Sequence, residues 1–75
     1  MMIQEENKIK TYKLLWKKLR QIRRARLDLT QGEVAEKIGI SISTYNYWEK
    51  GHTHPSPENL VKLVSVFGRE VYKEC

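Results

Sequence analysis

The 75-residue chain has one cysteine, Cys75, so no disulfide can form within it. That usage fits a reducing compartment better than a bridged secreted scaffold. Cys75 reads as an inert terminal residue, with an intermolecular disulfide as the alternative. Long apolar runs are also missing. Nothing approaches the ~20 residues that span a bilayer, and MMIQEENKIK lacks the apolar stretch of a signal peptide. A soluble, cytoplasmic protein is expected. No segment alternates apolar and polar residues between hairpin turns, so strands are not expected. There is no nucleophile–base pair, paired-carboxylate site or glycine-rich phosphate loop. The chain is therefore read as no enzyme, with no cofactor and no small-molecule ligand. Its length leaves one domain, residues 9–75, after a flexible N-terminus at 1–8.

The net charge of +5 is modest but unevenly placed. Residues 8–26 hold nine of the fourteen basic residues and no acid, whereas residues 27–75 hold five bases against seven acids. Such an excess suits a polyanionic partner, and equally a solvated helix face. Charge alone does not decide between them.

The apolar spacing does more. Ile9, Tyr12, Leu15, Trp16, Leu19 and Ile22 recur at three and four residues, which predicts an amphipathic helix from Ile9 with an apolar arc of roughly 140°. Arg23 falls inside that arc and so needs a partner. Thr30-Gln31-Gly32-Glu33 is a capping box, and it opens a second helix with Val34, Ala35 and Ile38 inward and Gly39 at its end. Ser41 caps a third helix that runs to Lys50 and stops at Gly51, with Tyr45 and Trp48 inward and Ile40 beneath the turn. His52–Pro55 is a loop. Ser56-Pro57-Glu58 opens a fourth helix with Leu60, Leu63, Val64 and Phe67 as its core stripe, closed by Gly68. Arg69–Lys73 is predicted to add a last helical turn with Val71 inward. The predicted fold is all-α, with four or five short helices.

The second and third helices are separated by very few residues through a glycine, which brings them together steeply as a helix-turn-helix over residues 30–51. In such a unit one helix crosses the phosphate backbone and the next enters the major groove. The segment TQGEVAEKIGISISTYNYWEKG resembles the core of the Cro/cI-type (XRE-type, lambda-repressor-like) helix-turn-helix domains. Gln31, Glu33, Ala35, Gly39, Ser41, Thr44, Trp48, Glu49 and Gly51 carry the match. PSPENLVKLVSVFG is similar to the helix that follows in that family, and the likeness covers about residues 15–72.

The resemblance implies a compact four- to five-helix domain that binds double-stranded DNA as a transcriptional regulator, most simply a repressor. It implies that Gln31 contacts a backbone phosphate and buttresses the reading helix. Ile42, Ser43, Asn46 and Tyr47 face base edges, with Ser41 at the head of the same helix, and Thr44 resembles a phosphate contact. Lys50 and His52 lie where the family meets the backbone again. The family also pairs a first-helix arginine with the glutamate ending the reading helix, here Glu49. A gapless count selects Arg24. Alignment of Leu15, Leu19 and Ile22 selects Arg23, with one extra residue in the following loop, and the helical arc favours Arg23.

Two departures matter. Ile42 stands where the family commonly has a long polar residue. It can touch a thymine methyl but cannot make a bidentate bond to a purine, and it could instead pack on its neighbours. His52 and His54 stand where Lys or Arg is common, which implies weaker or pH-dependent phosphate attraction. A zinc site at the two histidines lacks a further ligand in the loop. As alternatives, the domain could serve as a protein-interaction module such as an antitoxin subunit or adaptor, or its basic first helix could lie on an anionic membrane. A weak homodimer through Val71–Cys75 is expected to recognise a near-palindromic site.

Overall fold

The computed structural model describes residues 12–74. The segment expected to be flexible (1–8), Ile9 and Cys75 lie outside the described residues. Tyr12–Leu14 forms a strand, β1, antiparallel to a second strand, β2, at Tyr72–Glu74. The register pairs Lys13 with Lys73 and Leu14 with Tyr72.

This strand pair corrects the sequence reading at both ends of the domain. The first helix begins at Trp16 rather than Ile9, and the expected turn over Arg69–Lys73 is a single 3₁₀ turn, Arg69–Val71, that runs straight into β2. The physical reason is that a spacing of three residues over so short a stretch does not distinguish a helix from a strand. Lys13 is exposed and Leu14 is buried, the alternation of a strand. The Leu15 N–H then donates to the Val71 carbonyl at 2.7 Å, where the chain leaves the sheet.

Helix α1 spans Trp16–Ile22 and continues through a π-helical turn, Arg23–Leu27. A π turn closes on i+5 and so holds one residue more than an α turn. Asp28 ends the turn at φ 54°, a left-handed conformation that aspartate tolerates better than most residues.

Helix α2, Gln31–Ile38, starts at the capping box read from the sequence. The Glu33 N–H donates to Thr30 Oγ1 at 3.1 Å, and the Thr30 N–H donates to Glu33 Oε1 at 2.8 Å. Hydrogen bonds from Thr30 hold the Glu33 carboxylate below its ordinary pKa. Helix α3, Ile42–Lys50, is capped by Ser41, and helix α4, Pro57–Phe67, by Ser56 with proline in its first turn. The fold is all-α apart from the small terminal sheet.

The core gathers Leu14, Leu19 and Ile22 from the N-terminal side, Val34, Ala35 and Ile38 from α2, Tyr45 and Trp48 from α3, and Leu63, Phe67 and Val71 beyond. Leu60, Val64 and Ile40 pack against it while partly exposed. Tyr45 sits at its centre, edge-on to Trp48 at 6.3 Å and stacked on Phe67 at 6.4 Å. The core therefore fixes which face of α3 is turned outward. No helix among the described residues is long and apolar enough to cross a membrane.

Candidate nucleic-acid interface

Helices α2 and α3 are separated by Gly39, Ile40 and Ser41. Gly39 makes the reversal possible at φ 86°, and its N–H returns to the Ala35 carbonyl at 2.8 Å. With Tyr45 and Trp48 drawn into the core, Ile42, Ser43 and Tyr47 are turned away from it. Ile42 is 56% exposed and Tyr47 47% exposed, Ser43 is exposed, and Asn46 is half-buried.

A polar cluster holds α3 at this orientation. Arg23 Nε donates to Glu49 Oε2 at 2.7 Å and Nη2 to Oε1 at 3.3 Å. Its remaining terminal nitrogen, Nη1, donates to the Leu29 carbonyl at 2.9 Å, so the same side chain ties down the loop before α2. Glu49 also accepts from the Tyr45 hydroxyl at 2.6 Å and from Gln31 Nε2 at 2.9 Å. One carboxylate thus links α1, α2 and α3. The structure brings together Arg23 and Glu49, while Arg24 turns to solvent.

The electrostatics follow from that crowding. Burial pushes the Glu49 carboxyl upward, but hydrogen bonds from Arg23, Tyr45 and Gln31 outweigh it and hold the group below the usual carboxylate range. The hydrogen bond to Glu49 raises Arg23 against the opposing effect of burial. Burial first, and then the bonded carboxylate, push the Tyr45 phenol far above its ordinary value, so it stays a donor.

Gln31 Nε2 also donates to Asn46 Oδ1 at 3.3 Å. Both amide hydrogens of Gln31 therefore point at α3, and its side chain buttresses that helix. A phosphate at this end of α2 would meet the Gln31 backbone N–H, one of the donors that a helix leaves open in its first turn. The bond from Gln31 also turns the amide nitrogen of Asn46 away, leaving its donors available.

Ser41 and Thr44 are joined at the head of α3. Ser41 Oγ accepts the Thr44 N–H at 3.1 Å and donates to Thr44 Oγ1 at 2.9 Å, which leaves the Thr44 hydroxyl hydrogen free to donate. Ile42 leans over Gly32, where an added Cβ would stand 3.3 Å from Ile42 Cδ1. It is at once packed on α2 and open on its outer side. Lys50 and His52 are exposed at the far end, and the His52 ring meets Tyr47 edge-on at 6.1 Å.

Two features escaped the sequence reading. Arg20 and Arg24 line an open groove with Gln31, Asn46 and Lys50. The signal available was their four-residue spacing, which reads equally well as a solvated face. The second is Trp16, whose ring covers Gly51. A Cβ at Gly51 would lie 2.7 Å from Trp16 Cε2, so glycine is required there by contact as well as by its φ of 75°.

Two short helices joined through a glycine, the second held by a buried polar cluster with Ile42, Ser43 and Tyr47 exposed, define a helix-turn-helix protein. The chain belongs to the helix-turn-helix family, whose model matches residues 19–72, and within it to the Cro/cI type. It is 35% identical over 52 residues to the cryptic phage CTXphi transcriptional repressor RstR of Vibrio cholerae serotype O1 (strain ATCC 39315 / El Tor Inaba N16961), covering 69% of this chain and 46% of that one. A second Vibrio cholerae repressor of that name is 43% identical over 51 residues, covering 68% and 45%. An uncharacterised HTH-type transcriptional regulator of Haemophilus influenzae is 47% identical over 36 residues, covering 48% of this chain and 15% of its own. The chain thus spans less than half the length of each of these relatives. No solved structure matches it.

Proposed function

We propose that this protein is a sequence-specific double-stranded DNA-binding transcriptional regulator, a small repressor that places α3 in the major groove. The observation that carries the reading is the Glu49 cluster, which ties α3 to Arg23 after α1 and to Gln31 of α2 and leaves Ile42, Ser43, Asn46 and Tyr47 facing outward. A reading helix held this way loses little side-chain and backbone freedom on binding. Thr44, whose hydroxyl hydrogen Ser41 leaves free, supplies a donor to phosphates around it, as do Lys50, His52 and the Gln31 backbone. Repression is supported by the names of the two Vibrio cholerae relatives.

Asn46 is the polar reader, with amide donors suited to a purine edge, and Ile42 is an apolar reader of thymine methyls. The protein acts in the cytoplasm, without catalysis and without a small-molecule ligand. It binds as a weak homodimer to half-sites about one helical turn apart. Val71 is fully buried, so a dimer through the C-terminal segment uses β2 rather than that side chain.

In-vitro selection from random duplexes, followed by a salt titration on the selected site, tests the proposal. Enrichment of a near-palindromic motif with binding that weakens steeply with salt is expected. Absence of an enriched motif together with salt-insensitive binding would overturn it.

A further inference from the structure

The groove between α1 and α3, with a volume of about 360 Å³, is lined by Arg20, Arg23, Arg24, Gln31, Asn46, Glu49 and Lys50. Its charges are not balanced. Arg23 is neutralised by Glu49, and Arg26, on the same π-helical turn, by Glu70. Arg20, Arg24 and Lys50 have no acidic partner among the described residues. Four bases against one acid leave the groove at +3.

Cations on a solvated face usually spread apart, because like charges at i,i+4 repel. Here Arg20 on α1 and Arg24 on the π-helical turn that continues it stand four residues apart, and Lys50 of α3 closes on the same hollow. Asn46 opens into it as well, so the groove is continuous with the outward face of α3. A major groove occupied by α3 carries its flanking backbone along such a rim.

We infer that Arg20 and Arg24, together with Lys50, grip phosphodiesters of the DNA backbone, making α1 a third element of the interface beside α2 and α3. The inference rests on the DNA-binding reading above. The recognised chemistry is a phosphate oxyanion presented by the strand beside α3. Guanidinium groups suit it through paired N–H donors, whereas Lys50 acts as a point charge. These contacts strengthen binding without reading sequence.

The double variant Arg20→Gln, Arg24→Gln tests it in the full chain, with Lys62→Gln on α4 as a control. Arg20 and Arg24 are exposed, so the melting temperature of the variant stays at the wild-type value. The slope of log K against log salt becomes shallower by about 1.8, and affinity near 0.1 M salt falls about tenfold per arginine, alike for selected and random duplexes. Lys62→Gln leaves the slope unchanged. A double variant that keeps the wild-type slope overturns the inference, while a wild-type protein without salt-dependent binding overturns the DNA-binding reading itself. Inorganic phosphate at matched ionic strength displaces the duplex no better than chloride. Stronger displacement by phosphate, lost in the double variant, would make the groove a free-anion site and overturn the backbone assignment.

Discussion

Arg23 meets Glu49 through two nitrogens, at 2.7 and 3.3 Å, across 26 residues of sequence, and both side chains are nearly enclosed. The pair is the mechanical link between the first helix and α3. Its geometry ties the stability of the fold to the orientation of the outward face of α3.

Removing either partner leaves the other charge enclosed and unpaired. Arg23→Met and Glu49→Leu are each expected to destabilise the fold by about 3 kcal/mol in chemical denaturation. The double variant is expected to lose less than the sum of the two, with a coupling above about 1 kcal/mol. Additive losses would show that the contact contributes nothing as a pair.

Acid should weaken the domain through the same carboxylate. A group held below its unfolded pKa stabilises the fold above that value and ceases to do so as pH falls through its folded value. Glu49 and Glu33 are both held low. Melting temperature is therefore expected to be flat near neutrality and to fall below about pH 4.3. Glu49→Gln starts from a lower melting temperature and shows a shallower acid decline, with the Glu33 part remaining.

Gly51 is constrained twice. Gly51→Ala puts a Cβ on a left-handed residue, which costs about 1–2 kcal/mol by itself, and drives it into the Trp16 ring. The loss measured by thermal melting is expected to exceed that range. In a Trp16→Ala background it is expected to fall back to the backbone cost alone. An equal loss in both backgrounds would deny the contact.

The division between polar and apolar reading can be separated on the selected site. Asn46→Ala is expected to relax discrimination at one position by about 1–3 kcal/mol. Replacing thymine by uracil opposite Ile42 is expected to weaken the wild-type protein and leave Ile42→Ala unaffected. If uracil substitution matters at no position, Ile42 serves only its packing on Gly32.

Much of this was legible in the chain. The capping box at Thr30, the inward Tyr45 and Trp48, and the stops at Gly39 and Gly51 all follow from local chemistry acting within a few residues. Arg23 was legible because a cation inside an apolar arc demands a partner. The terminal strands were not, since pairing between residues so distant leaves no local mark beyond a short alternation. Neither was the groove beside α3, because the spacing of Arg20 and Arg24 does not reveal that Lys50 faces them.

The strand pair carries a consequence for how the molecule assembles. Lys13 and Lys73 are about sixty residues apart in sequence, whereas the helix-turn-helix closes over about twenty. Closing the longer loop sacrifices more chain entropy and draws no help from neighbouring turns. The sheet is therefore expected to be a late seam, fastened after the helices have docked. Tyr12 and Glu74 lie side by side in the sheet, so strain applied at either would be felt first at this seam and last at α3.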